Sequence, residues 1–335
     1  MSGISIRASG VSKTFRQLKR VSGLGGAIRG LFSRSYTEVR AVEDISFTIA
    51  AGEAVGYLGP NGAGKSTMIK MMTGILQPTA GELSVLGRNP HEQRMINAAE
   101  IGVVFGQRSQ LWWDLPVRDS FELNRRIYDI ADARFASNLD YLTTMLGMDG
   151  YLDRPVRQLS LGQRMRAEIA MALLHDPKIL FLDEPTIGLD VVAKDAVRKF
   201  LSEVNRERGT TIILTTHDLQ DIEEICPRLI MVDDGKLLFD GELVRLRAAL
   251  GSRRRLTLEF GADPGPISLT TARLVTDDGA AKHFVLDSEA TSILDVLTEL
   301  GSGYDLKDVA LEEPAIEEVI RTFYQQKPQL AAARA

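Results

Sequence analysis

Short apolar runs, each long enough for a buried strand and too short for a helix, punctuate the first two-thirds of the chain. They are Glu53–Leu58, Ile101–Phe105, Ile179–Leu182 and Thr211–Leu214. Between the second and third runs the period changes. Phe121, Leu123, Ile127, Tyr128, Phe135, Leu139, Leu142 and Leu146 fit amphipathic helices, broken near Gly147 and Gly150. After Leu250-Gly-Ser the style changes again. Arg255–Phe260 alternates like a strand, and Gly261–Pro266 is a Gly/Pro-rich break. Strand-like pieces follow at Ala272–Thr276 and His283–Asp287, then a predicted helix over Ala290–Leu300. A last helix is expected from Pro314 through Tyr324, with fraying from Lys327 onward. The tail reads as a small α+β domain.

Composition narrows the class. A chain of 335 residues with 44% hydrophobic and 25% charged residues holds one large globular domain and a smaller one. A net charge of −5 argues against a general nucleic-acid binder, so no nucleic acid is expected as partner. The single Cys226 forms no internal disulfide. The segment Met1–Ala8 lacks the apolar core of a secretory signal, and no apolar run reaches the roughly 20 residues that cross a bilayer.

Two motifs carry the chemistry. Gly59, Pro60, Asn61, Gly62, Ala63, Gly64, Lys65, Ser66 and Thr67 fit the phosphate-loop pattern G-x-x-x-x-G-K-[ST]. Glycines let such a loop curl tightly and aim its N–H groups at an anion. Lys65–Thr73 reads as a helix whose positive end points at the same phosphates. Lys65 is expected to reach the β- and γ-phosphates of ATP, and the Ser66 hydroxyl to sit on Mg²⁺. The strand Ile179–Leu182 ends in Asp183 and Glu184, at the edge where open α/β sheets keep their chemistry. Asp183 is expected to hold Mg²⁺ through its water shell, and Glu184 to polarise the attacking water.

These parts resemble the nucleotide-binding subunit of ABC transporters, and further motifs of that family follow in order over about residues 4–245. Gln107 resembles the Q-loop glutamine, which contacts Mg²⁺ and water and senses the membrane partner. Leu159–Gln163 resembles the signature motif, with Ser160, Gly162 and Gln163 as its phosphate contacts. Leu161 stands where the commonest form has glycine, which leaves the local turn conformation open. Ile187–Asp190 resembles the D-loop, with Asp190 as a nucleotide-site residue. His217 resembles the switch histidine at the γ-phosphate. Phe15 falls where an aromatic stacks on adenine, with Tyr36 as its competitor.

The resemblance implies an α/β fold of the P-loop NTPase, ABC type. A RecA-like core would carry an antiparallel β subdomain and a helical subdomain at about 108–165. The nucleotide-binding domain spans 1–245, with a basic insertion at about 16–40, and 246–335 form an accessory or dimerisation domain. It also implies ATP and Mg²⁺ as cofactors and a second ATPase subunit, in a homodimer or a heterotypic pair, because the signature serves the nucleotide held by the other chain. Separate permease subunits would hold the protein at the cytoplasmic face of the membrane.

Gly102–Pro116 and Pro185–Ala193 resemble ABC-2-type exporters of a multidrug or viologen subgroup. The alternatives are an importer ATPase, whose tail would consist of strands without the helix near residue 320, and a soluble ABC ATPase acting on DNA or ribosomes. Trp112 and Trp113 fit either a groove for a membrane partner or the core of the helical arm. In the basic insertion, Gly26–Arg34 has the make-up of a short amphipathic helix that rests on anionic lipid or a partner; a solvated loop is the other reading.

Overall fold

The apolar runs assemble into one sheet because each is buried on both faces, as parallel strands covered by helices must be. In the computed structural model β1 is Ile4–Leu18, β2 Tyr36–Ala50, β3 Ala54–Leu58, β4 Ala80–Val85, β5 Ile101–Phe105, β6 Ile179–Asp183 and β7 Thr211–Thr215. β8 is Arg228–Asp233 and β9 Lys236–Glu242. Six of these form a sheet in the order β5-β6-β7-β3-β8-β9. Its parallel register pairs Phe105 with Asp183 and Asp183 with Thr215, so these residues share the C-terminal edge.

The structure describes residues 3–18, 36–106, 109–249, 254–286, 291–301, 303–312, 316–317, 319–321 and 323–324. Gln107, the predicted helix at Gly26–Arg34 and the stretch from Lys327 lie outside them. The chain divides into two compact units, Met1–Gly241 and Glu242–Ala335.

In the first unit, an antiparallel sheet of order β2-β1-β4 lies beside the parallel one. Ile6, Val11, Val42 and Ile45 from it share one apolar core with Tyr57, Phe181, Ile213 and Ile230. The first two helices are α1 (Lys65–Met72) and α2 (Arg94–Glu100). The helical stretch comprises α3 (Val117–Ile127), α4 (Asp132–Leu146) and α5 (Leu161–Leu173). Gly147 ends α4 in the left-handed conformation, φ 60°, where the pattern called for a break. A second break, at Asp129 with φ 50°, has no glycine to announce it. Two further helices are α6 (Val191–Arg208) and α7 (Leu219–Ile225). Trp112 and Trp113 are both exposed, so neither belongs to the core of the arm.

The second unit starts with α8 (Leu243–Ala249). It continues with β10 (Arg255–Phe260), β11 (Ala272–Asp278), β12 (Ala281–Leu286), α9 (Ile293–Leu300) and β13 (Leu306–Glu312). The four strands form an antiparallel sheet, β11-β12-β10-β13, whose core joins Leu256, Leu258 and Phe284 to Val296 and Leu300. Ser292 and Asp295 cap α9 reciprocally. Residues 316–317, 319–321 and 323–324 are helical.

Candidate functional site

The loop between β3 and α1 is shaped by close backbone approach. A Cβ on Gly59 would lie 2.3 Å from the Val232 carbonyl oxygen, and one on Gly64 (φ 95°) 2.2 Å from the Ala41 carbonyl oxygen. Only glycine fits either place. Lys65 opens α1 and donates from Nζ to the carbonyl oxygens of Gly59 at 2.6 Å and Pro60 at 3.2 Å. Burial lowers the Lys65 pKa, and the carboxylates of Glu184 and Asp183 pull it back up.

Opposite the loop, Asp183 ends β6 and accepts a hydrogen bond from the Thr215 hydroxyl at the same level of β7. Glu184 follows with φ 58°, a left-handed conformation that costs a non-glycine residue about 1–2 kcal/mol. Its amide donates to the Thr215 carbonyl at 2.8 Å. Its carboxylate accepts from the His217 amide at 3.3 Å and lies 3.4 Å from His217 Nε2. Burial raises the Glu184 pKa, with the nearby His217 opposing the shift.

Lys65, Ser66, Asp183, Glu184 and His217 line a single cavity of about 420 Å³, together with Asn61, Lys70, Ile75, Phe105 and Gly106. Four loops from four strands therefore converge at one sheet edge, the place where open α/β folds bind ligands. A fixed cation and glycine-freed amides on one wall, with carboxylates on the other, suit a polyphosphate and the water that attacks it.

The residues also fit Mg²⁺. Ser66 and Asp183 present hard oxygen donors to the cavity. Among the described residues no group of three or more His, Cys, Asp or Glu side chains is arranged to hold a metal. Sparse oxygen donors facing a phosphate cradle match an ion that keeps its waters and takes further ligands from substrate phosphates.

The remaining predicted residues stand elsewhere. Ser160 is exposed and caps α5, accepting from the Gln163 amide at 3.2 Å, while Gln163 Oε1 accepts from the Ser160 amide at 3.0 Å. This capping box keeps the helix start that Leu161 had left open. The Leu161 side chain lies over Gly188 (φ 70°), where a Cβ would come within 2.7 Å of Leu161 Cδ2. Asp190 caps α6 through the Ala193 amide at 2.8 Å. Ser160, Gly162, Gln163, Asp190 and Phe15 do not line the cavity. Phe15 sits on β1 with Lys13 Nζ 5.4 Å from its ring centre, and Tyr36 is exposed at the start of β2. Sequence reading passed over Thr215, although a threonine pair directly before His217 was the available signal.

Fold and cavity together define a P-loop ATPase of the ABC type. The ABC transporter family model matches residues 42–187. The daunorubicin resistance ATP-binding protein DrrA3 of Streptomyces coeruleorubidus is 32% identical over 297 residues, covering 85% of this chain and 92% of that protein. The methionine import ATP-binding protein MetN 2 of Bacillus licheniformis is 31% identical over 297 residues, covering 88% and 82%. The dimeric structure of the ATP-binding cassette MJ0796 bound to ADP and Pi superposes with a TM-score of 0.59 at 26% identity, over 71% of this chain and 98% of that one. The chain belongs to the ABC transporter ATP-binding family and is an ATP-hydrolysing subunit of such a transporter. No helix among the described residues is long and apolar enough to cross a membrane.

Proposed function

We propose that this chain powers export as a homodimer docked on separate permease subunits at the cytoplasmic face of the membrane. The observation that carries the ATPase half of this reading is the convergence of Lys65, Asp183, Glu184 and His217 on one cavity. Lys65 and the loop amides bind the β- and γ-phosphates. Glu184 orients the attacking water and accepts its proton; His217 holds Glu184 and meets the γ-phosphate. When bound, Mg²⁺ neutralises charge on the transferring phosphate, and Ser66, Asp183 and Gln107 are the residues to hold it.

What the cavity leaves out supports dimerisation. The exposed cap at Ser160 and the Gly162 amide form a second anion-binding helix start with no phosphate loop of their own chain against them. In a head-to-tail pair they face the partner's nucleotide, and the similar cassette MJ0796 is dimeric with ADP and Pi bound. Export is favoured by the likeness to a drug-resistance ATPase and by helical residues near 320 in the tail. Import is the competing reading, because MetN 2 matches over similar length. Uptake against extrusion in vesicles reconstituted with the permeases distinguishes the two.

The catalytic assignment is tested by two variants. Glu184→Gln is expected to cut hydrolysis by about 10²–10⁴-fold while retaining ATP. Lys65→Ala is expected to lose ATP binding itself. Wild-type turnover in Glu184→Gln would refute the assignment.

A further inference from the structure

A buried ionic knot lies behind the catalytic edge, and nothing in the hydrolytic scheme so far uses it. Asp221, on α7, is wholly inaccessible to solvent, and Arg198, on α6, is only 3% exposed. Arg198 Nε donates to Asp221 Oδ1 at 2.6 Å. The other carboxylate oxygen, Oδ2, accepts from two hydroxyls: Thr216 at 3.1 Å and Thr186. Both threonines are themselves buried. Thr216 directly precedes His217, and its hydroxyl also accepts from the Asp218 amide at 2.9 Å. Thr186 lies two residues after Glu184, at the start of the turn that leads to Asp190. Asp218, the cap of α7, is tied to α6 by Lys194 at 2.6 Å and Arg198 at 3.3 Å.

One carboxylate oxygen therefore holds the chain after Glu184 and the chain before His217 to a single point. Those are the two segments whose side chains must meet, and they do, at 3.4 Å between His217 Nε2 and Glu184 Oε1. A buried charge pair is a poor source of net stability, because desolvation offsets its attraction. Its value here is directional: both oxygens of the Asp221 carboxylate are bonded, so the two loops cannot slide past each other without breaking a bond to a buried charge. Arg198 supplies the compensating charge from a separate helix.

We propose that Asp221 is a positioning residue for hydrolysis, holding the Glu184 and His217 segments in register through Thr186 and Thr216. It is wholly buried, does not line the cavity and works through His217, so the inference rests on the role given to His217 above. Loss of the link leaves the phosphate loop intact, and the deficit falls on turnover with ATP affinity preserved.

The test is a double-mutant cycle on the full-length protein. Asp221→Asn removes the charge, and Thr216→Val removes the hydroxyl with its bonds to Asp221 and the Asp218 amide while keeping the Arg198 pair, so the melting temperature separates loss of fold from loss of register. Each is combined with His217→Ala, and kcat, KM for Mg-ATP and melting temperature are measured. Either single variant is expected to lower kcat by about tenfold or more with KM within about threefold of wild type. In the His217→Ala background Thr216→Val is expected to cost less than about twofold, because coupled residues are non-additive. Equal losses in both backgrounds, or a rise in KM in place of the fall in kcat, overturn the proposal. If His217→Ala alone turns over at the wild-type rate, the role of His217 fails first, and the two failures are told apart.

Discussion

Glu184 carries two unfavourable features in one residue, a left-handed backbone and a half-buried carboxyl whose pKa burial raises. Such strain gathers where a site needs a group held in a poor conformation for its own comfort. A carboxyl that binds its proton more tightly in the folded state makes folding less favourable as pH rises through the window between the ordinary carboxylate value and the raised one. Glu184→Gln has no proton to lose there. Its melting temperature is expected to exceed that of the wild type near pH 7, with the gap shrinking as pH falls through about 4, well below which the wild-type carboxyl is protonated in both states. Thermal melts of both proteins across that range check this, and a gap independent of pH would contradict the cause assigned. The convergence of single residues on one cavity was legible where chemistry and chain spacing coincide, as at Lys65, Asp183, Glu184 and His217. Thr215, Thr186 and Asp221 were not, because a hydroxyl or buried carboxylate acquires its role only from partners up to 35 positions away.

Among the elements, α5 bears the most information per residue. Its first turn is fixed by the mutual bonds of Ser160 and Gln163, so Gln163, expected as a phosphate contact, spends its side-chain oxygen on the cap. Leu161 replaces the usual glycine without loss of the turn because its side chain lies over Gly188, which has no Cβ to oppose it. Capping and phosphate contact separate by mutation. Ser160→Ala is expected to lose about 1 kcal/mol of stability and also turnover. Ser160→Asp caps a helix equally well, so stability is expected to be kept. It sets a negative charge where phosphate is to bind, so turnover is expected to be lost all the same. Denaturant melts paired with ATPase assays read the two effects; active Ser160→Asp protein would contradict the phosphate contact. The parallel strands β3, β5, β6 and β7 were legible as unbroken apolar runs, while β8, parallel to β3, went unpredicted. β13 was not, since Leu306–Glu312 interleaves acids and a lysine with its apolar positions and pairs on one side alone, with β10. The fifteen-residue strands β1 and β2 escaped notice because repeated register shifts between them break the alternation.

On the scale of the whole molecule, the first unit holds every residue of the cavity, yet the helix start at Ser160 stands outside it. In the proposed function, the cavity at the phosphate loop and the exposed helix start at Ser160 are the two halves of a composite site. On the proposed function, the two halves would meet when two copies pair head to tail, linking nucleotide capture to dimer closure and closure to movement of the permeases. The second unit adds no catalytic constellation among its described residues, and its four-stranded sheet is a closed small core in its own right. The most direct test of this composite is complementation. Lys65→Ala chains and Ser160→Asp chains, each expected to be inactive alone, are mixed and allowed to exchange subunits, and ATP turnover is measured. A mixed dimer has one intact pocket, Lys65 from one chain and Ser160 from the other, so turnover is expected to return, at up to about a quarter of the wild-type rate. A mixture as inactive as its parents, with mixed dimers demonstrably formed, would contradict the shared site.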